Sequence, residues 1–372
     1  MRILFSGTPA FGHLLPMLPL ARAARRAGHD TAFLTHPSMA RAVAPAPVLP
    51  AGPTVDAVLA EVVRRTGADA TTDMTPATPA EFFGRARVDL GADEALAVTA
   101  AFGPDLVIVE TADYLGRLAA AANGVPWVSH GVGIALDHVL ARAMDEAAAG
   151  RFAARGLRAT ERIASIDPWP DSLQRDDWKP SPDRIVIRPE PYDSDDAASW
   201  STPRFPGRED RPRVLVTLGT IVDDDEVLAT IVASLEPHDV NVVVAVNPAA
   251  DVETLRVDRT RVRPVGFVPM RRLLDGVDVV VSAGGAGTVL SALRTAVPMV
   301  LLPMGLDKPL NAERVANVGA AVVVHRPEEI GDAVAGVLGD PSFRTAAAAM
   351  ARQMTDTQSA AEVLRQVLVR MP

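Results

Sequence analysis

Residues 279–288 read VVVSAGGAGT, and the chain continues as VLSALRTAVP. A run of β-branched apolar residues breaks into three glycines within four positions and then into a helical pattern, which is the order strand, tight turn, helix. Such a turn gathers backbone N–H groups and a helix N-terminus around one point, an arrangement suited to a phosphate or pyrophosphate. Glycines are needed there because side chains keep an anion away from the backbone. The segment is not a P-loop, which would end in Gly-Lys-Ser/Thr, nor the dinucleotide fingerprint with its G-x-G-x-x-G spacing. Taken alone it is equally a strand-to-helix turn that holds nothing.

The same unit recurs along the chain. RILFS at 2–6 leads into Gly7, Gly12 and the helical pattern LLPMLPLARAARRAG, and RVLVT at 213–217 leads into Gly219. Further strand candidates in the first half are 30–36, 105–110 and 126–131, and in the second half 240–246, 277–283, 299–303 and 320–324. Strands apolar on both faces and alternating with helices imply parallel sheets covered on both sides. The expected class is therefore α/β, with two Rossmann-like doubly wound domains. YDSDDAASWSTPRFPGREDRP at 192–212, with its acidic cluster and three prolines, has a connector's composition. The expected organisation is an N-terminal domain over 1–195, a linker over 196–212, a C-terminal domain over 213–355 and a closing helix over 356–372. That helix carries an apolar stripe of Val363, Leu364, Val367 and Leu368 that must cover something. Residues 52–100 carry weaker helical patterns, an insertion of the kind that projects from the carboxyl edge of the strands.

At 372 residues the chain exceeds what one core covers. No apolar stretch approaches the roughly 20 residues of a membrane helix, and MRILFSGTPAFGH lacks the form of a signal peptide, so a cytoplasmic protein without membrane partners is expected. A formal net charge of −9 argues against nucleic-acid binding. The absence of cysteine removes disulfides, thiolate catalysis and cysteine-bound zinc. Only Lys179 and Lys308 are lysines, so nearly all positive charge is arginine, a bias more simply assigned to coding composition than to individual sites.

In order along the chain stand PAFGHLLPMLPLARAARRAGH, PDLVIVETADYLGRLAAAANGVPWVSHG, DPWPDSLQ, RPEPYD, RPRVLVTLGT, VRPVGFVPMRRLLDGVDVVVSAGGAGT and TAVPMVLLPMGLDKPLNAERVANVGAAVVV. As an ordered set these resemble the GT-B glycosyltransferases, specifically the bacterial natural-product branch of macrolide and aromatic-polyketide enzymes, over nearly the whole chain. The resemblance implies two domains facing across a cleft, with the acceptor on the N-terminal side and a nucleotide-sugar on the C-terminal side. It also implies direct displacement with inversion at the anomeric carbon.

That reaction needs a base for the acceptor hydroxyl and fixed dipoles for the departing diphosphate. The resemblance makes His13 the base. Its expected place at the start of the first helix disfavours imidazolium through the helix dipole. Glu110 takes the position of the carboxylate that fixes the tautomer, one methylene longer than the aspartate common in relatives. The matched nucleotide-sugar residues are Thr220, Phe267, Val268, Gly284, Gly285, Gly287, Thr288 and Asp307, with Phe267 and Val268 on the pyrimidine and Asp307 on sugar hydroxyls. Phe82, Phe83 and Leu136 are the acceptor candidates. A dTDP- or UDP-sugar is the implied donor substrate, with no cofactor and no metal, and DDD at 223–225 more simply starts a helix. The implied partners are that donor and a small apolar acceptor, and a homodimer stays open.

Two positions depart from the family pattern. Ala283 stands where a histidine usually donates to a phosphate, a loss of typically about 1.5–3 kcal/mol if nothing replaces it. Lys308 stands where glutamine commonly follows the aspartate, and is either a cation near the diphosphate or a solvated side chain at a helix start. The departures leave open a second reading, a catalytically weak homologue acting as a nucleotide-binding or auxiliary partner. A nicotinamide-dependent oxidoreductase would need a G-x-G-x-x-G turn that SGTPAFGH does not supply.

Overall fold

A computed structural model of the chain describes residues 1–73, 75–194, 200–220, 224–247, 255 and 257–372. Residues 196–199 of the expected linker and Asp223 of the acidic triplet lie outside them. Two compact units emerge, one made of Met1–Trp169, Arg175–Arg188 and Thr357–Pro372, the other of Pro170–Gln174 and Pro189–Asp356.

The first unit holds a parallel sheet of β1 (Arg2–Ser6), β2 (Asp30–Thr35), β3 (Val48–Pro50), β4 (Leu106–Glu110), β5 (Trp127–His130), β6 (Ala164–Asp167) and β7 (Arg184–Val186), in the order β3-β2-β1-β4-β5-β6-β7. Strands β1 and β4 are buried almost throughout, which is why their sequences run apolar without alternation. Leu4, Leu34, Val107 and Val109 pack there with Val88, Ala92 and Ala95 of the helix Arg87–Phe102. The second unit holds β8 (Arg213–Thr217), β9 (Asn241–Ala245), β10 (Val262–Val265), β11 (Val279–Ser282), β12 (Met299–Leu301) and β13 (Ala321–Val323), all parallel, in the order β10-β9-β8-β11-β12-β13. Strands β3, β6, β7 and β10 were not among the sequence candidates.

Helix boundaries follow local chemistry. Pro16 and Pro19 divide the first helical pattern into Phe11–Leu14, a 3₁₀ turn Leu15–Met17 and Leu18–Arg26. The insertion is helical over Val55–Thr66, capped by Thr54 and ended by Gly67 at φ 75°. It continues through a π segment Ala80–Ala86 into Arg87–Phe102. The helix Asp225–Leu235 starts behind Asp224, whose carboxylate accepts the Val227 N–H at 3.0 Å. The last helix, Ala360–Val369, opens with a Ser359/Glu362 capping box and buries Val363, Leu364 and Val367 against Leu18–Arg26 of the first unit. Among the described residues, no helix is long and apolar enough to cross a membrane.

Candidate functional site

In an open parallel sheet, ligands collect where the strand order reverses, outside the carboxyl ends of the strands. In the first unit that point lies between β1 and β4. The chain leaves β1 through Gly7, at which a Cβ would stand 2.7 Å from Leu14 Cδ2 and 3.5 Å from Glu110 Cβ. A side chain at Gly7 would force Leu14 to shift, whereas the end of β4 lies at ordinary contact distance. The turn delivers His13 as the third residue of the short helix Phe11–Leu14, and β4 ends on Glu110. His13 Nδ1 stands 2.8 Å from Glu110 Oε2, with the histidine side chain 24% exposed and the carboxylate fully buried. The longer glutamate therefore still reaches the ring. Glu110 Oε1 accepts the Ala112 N–H at 2.7 Å.

Burial alone would push the Glu110 carboxyl up; the facing His13, the Ala112 N–H and the Arg87 charge outweigh it and hold Glu110 below the usual range. A carboxylate on Nδ1 places the ring proton there and leaves Nε2 as the basic nitrogen. This contact governs the ring more directly than the helix-start dipole expected from sequence, because the helix carrying His13 is only four residues long.

A second layer of buried charge lies beneath the pair. Arg87 donates from Nε to Asp113 Oδ1 at 3.0 Å and from Nη2 to the Gly7 carbonyl at 3.1 Å. Asp113 also accepts from Ser6 Oγ and, as N-cap of the helix Tyr114–Asn123, from the Gly116 N–H at 3.3 Å. On β5, His130 is paired in register with Glu110. Burial pushes its imidazole down to about 4, against the opposing pull of the Gly131 carbonyl and the Glu110 charge. Its Nδ1 lies 2.8 Å from that carbonyl, which can only accept, so Nδ1 carries the proton.

The acceptor candidates divide. Phe83 is half-buried with its ring centroid 5.9 Å from that of His13. Phe82 meets Phe83 edge-on at 4.7 Å but is buried with Val58, Val62 and Ala86, which assigns it to packing rather than to an open surface. Leu136 is exposed, just ahead of the helix His138–Ala153.

The second unit reverses its strand order between β8 and β11. Thr220 lies in the loop after β8, and the glycine turn follows β11. Gly284 has φ +85°, and a Cβ on it would stand 3.1 Å from the Lys308 carbonyl, so backbone conformation and close approach both demand glycine. Gly285 is the N-cap of the helix Ala286–Arg294 and no side chain caps it. The helix begins at Ala286, so Gly287 sits in its first turn. A Cβ on Gly285 or Gly287 would meet nothing within 4 Å. The fold does not need these two glycines for space, and they leave the first N–H groups of the helix bare.

Asp307 is exposed at the N-cap of the helix Lys308–Asn317, reached through Gly305 and Leu306 at φ 72° and 56°. Asn311 ties the two parts together, donating from Nδ2 to the Gly284 carbonyl at 3.0 Å and to Asp307 Oδ2 at 2.9 Å. Lys308 is not a solvated side chain. It is 6% exposed, its Nζ donates to the Met304 carbonyl at 3.0 Å, and burial lowers its ammonium against the pull of Asp307. Ala283 belongs to the apolar cluster of Val214, Val216, Val281 and Leu302. Phe267 is exposed with its ring 6.2 Å from that of Tyr192, and Val268 beside it is half-buried.

Sequence reading missed Arg87 and Asp113, and set Asn311 of NAERV aside as structural. Arg87 was hidden by the abundance of arginine, although its company of Val88, Gly91, Ala92 and Ala95 marks a helix face that is otherwise apolar or small. Asp113 carried an N-cap signal ahead of YLGRLAAAA. Among the described residues no group of three histidine or carboxylate side chains is placed to hold a metal ion.

Residues 229–371 match the family model described as erythromycin biosynthesis protein CIII-like, C-terminal domain. The chain is similar to the elloramycin glycosyltransferase ElmGT of Streptomyces olivaceus, 28% identical over 98% of this chain and 96% of that protein. It is also similar to the L-demethylnoviosyl transferase of Streptomyces niveus, 30% identical over 87% and 84%. Among solved structures, the Streptomyces sp. SF2575 glycosyltransferase SsfS6 complexed with thymidine diphosphate superposes with a TM-score of 0.83, at 28% identity and 99% coverage of both chains.

Proposed function

The chain belongs to the GT-B glycosyltransferases of antibiotic biosynthesis, and on that premise we propose that it inverts the anomeric centre of a dTDP-sugar, with His13 as base. The observation that carries this reading is the 2.8 Å contact between His13 Nδ1 and the buried Glu110 carboxylate at the strand-order reversal of the first sheet. With Nδ1 engaged, Nε2 takes the proton of an acceptor hydroxyl as that oxygen bonds to the anomeric carbon. On the opposite side the bond from that carbon to the β-phosphate oxygen breaks. The diphosphate leaves with both electrons of that bond, and its charge is met by the bare N–H groups of Ala286, Gly287 and Thr288 at the helix start. A positioned base of this kind contributes typically about 10²–10⁴ in rate.

In the donor site, Asp307 takes sugar hydroxyls, Phe267 and Val268 take the pyrimidine, and Thr220 reaches the diphosphate from the loop after β8. Lys308 works through the backbone, holding the Met304 carbonyl and so the turn that presents Asp307. Phe83, beside the His13 ring, and the exposed Leu136 supply apolar surface for a natural-product acceptor.

Ala283 favours the second reading, a catalytically weak homologue acting as a nucleotide-binding or auxiliary partner, because it removes a phosphate donor; the intact His13–Glu110 contact favours the enzyme. Calorimetric titration with dTDP and UDP tests the donor site that the enzyme requires. Saturable binding, tighter for dTDP by about tenfold or more, is the outcome expected of the enzyme, a difference of about 1.4 kcal/mol. Tighter UDP binding reassigns the donor, and binding of neither nucleotide removes the glycosyltransfer reading.

A further inference from the structure

Arg87 is buried to 1% exposure, follows directly on the π segment Ala80–Ala86, and makes contacts that no packing role requires. Its fork binds two separate loops. Nη2 holds the Gly7 carbonyl, at the root of the turn that carries His13, and Nε holds Asp113, three residues after Glu110 and fixed as the N-cap of the next helix. Gly7 and Glu110 are neighbours, a Cβ on Gly7 standing 3.5 Å from Glu110 Cβ. A guanidinium presents several N–H donors in a rigid fork, so it can fix the separation of two carbonyl or carboxylate acceptors where an ammonium, a point charge on a flexible stem, does not. The π segment supplies the register. Phe83 and Arg87, four residues apart, both serve this end of the sheet, the first beside the His13 ring and the second beneath its loop. Such π insertions recur at functional sites.

We propose that Arg87 is a positioning residue, whose guanidinium clamps the Gly7 turn to the Asp113 cap and so holds His13 and Glu110 at contact distance. The proposal rests on the reading of His13 as a Glu110-oriented base. Without the clamp, the Gly7 turn and the Asp113 cap keep only the Ser6 Oγ bond and the β1–β4 pairing in common, Nδ1 leaves the carboxylate, and the ring is no longer held in the tautomer that exposes a basic Nε2.

The tautomer is directly observable and needs neither donor nor acceptor. Long-range ¹⁵N–¹H correlation spectra of the full chain, labelled at its histidines and recorded where His13 is neutral, distinguish the Nδ1–H from the Nε2–H form. His130, bonded to its own Gly131 carbonyl, is the internal control for the sheet. Wild-type His13 is expected to be predominantly Nδ1–H. In Arg87→Lys and Arg87→Met that form is expected to fall to a minority while the His130 signal stays in place, and Asp113→Asn should shift His13 the same way by less. Retention of Nδ1–H in His13 of the Arg87 variants overturns the proposal. A wild-type His13 already in the Nε2–H form overturns the underlying base reading instead, so the two failures are told apart. If Arg87→Met loses the fold, shown by loss of the His130 signal, Arg87→Lys and Asp113→Asn decide the outcome.

Discussion

Both sheets reverse their strand order once, between β1 and β4 and between β8 and β11, yet what they place at the two reversals is opposite in kind. At the first, side chains converge: His13, Glu110, Arg87, Asp113 and His130, all but His13 fully or almost fully buried. At the second, side chains withdraw, and Gly284, Gly285 and Gly287 leave a helix N-terminus bare. The same topology thus supplies a crevice in both units, and the residues set there decide whether it works through titratable groups or through backbone dipoles. On the proposed mechanism a proton is moved in one and a negative charge received in the other, and those tasks call for different materials.

The sharpest way to break this contrast is to remove charge from the first reversal alone. Glu110→Gln keeps shape and volume but offers His13 an amide in place of a carboxylate. Turnover is expected to fall by about 10²–10⁴, with dTDP affinity unchanged by calorimetry. A rate loss traceable to weaker dTDP binding would place Glu110 in the wrong half of the comparison.

Acid sharpens it next. His130 titrates near 4 when folded and near 6.5 when exposed, so between those values the unfolded chain binds the extra proton. The stability that neutral His130 confers is complete above pH 6.5 and is lost as pH falls towards 4, up to about 3 kcal/mol. Hydrogen exchange of the β4 and β5 amides should report that loss, and His130→Gln should flatten it over the same range. An unaltered pH response in His130→Gln would show that the acid sensitivity arises elsewhere.

The glycines of the second reversal divide in a finer way. Gly284→Ala forces an L-residue to φ near +85° with the Lys308 carbonyl 3.1 Å from its Cβ, and is expected to destabilise the fold by about 1–3 kcal/mol. Gly287→Ala enters open space in a helical turn, where alanine is favoured over glycine by about 0.5–1 kcal/mol, so it should raise stability slightly while weakening dTDP. Denaturant titration and calorimetry on the two variants check both halves. If Gly287→Ala binds dTDP as the wild type does, that glycine has no part in receiving the nucleotide.

How much of this was legible depended on burial. Central strands such as β4 and β11 lie covered on both faces, so LVIVE and VVVS declare themselves. The unrecognised β3, β7 and β10 are edge strands of three or four residues, and β6 lies beside an edge. With less to bury they carry proline, arginine or aspartate, as in VRPV and ASID. His13, Glu110 and the glycine turn were recognisable because each sits on a short local motif at a strand end. Arg87 was not, since its partners Gly7 and Asp113 are 80 and 26 residues away and nothing local distinguishes it from surface arginines. Lys308 had two readings, a cation near the diphosphate and a solvated side chain at a helix start, and its burial against Gly284 excludes the second.

The division of labour is tested most directly by titrating dTDP into His13→Ala and Gly285→Asp beside the wild type. Gly285 has an ordinary φ of −62° and open space for a side chain, so aspartate there caps the helix and puts a carboxylate where the proposed mechanism places the diphosphate. The account predicts that His13→Ala keeps wild-type affinity within about twofold and that Gly285→Asp loses about a hundredfold or more, about 2.8 kcal/mol. Loss of dTDP binding in His13→Ala, or its survival in Gly285→Asp, would contradict it.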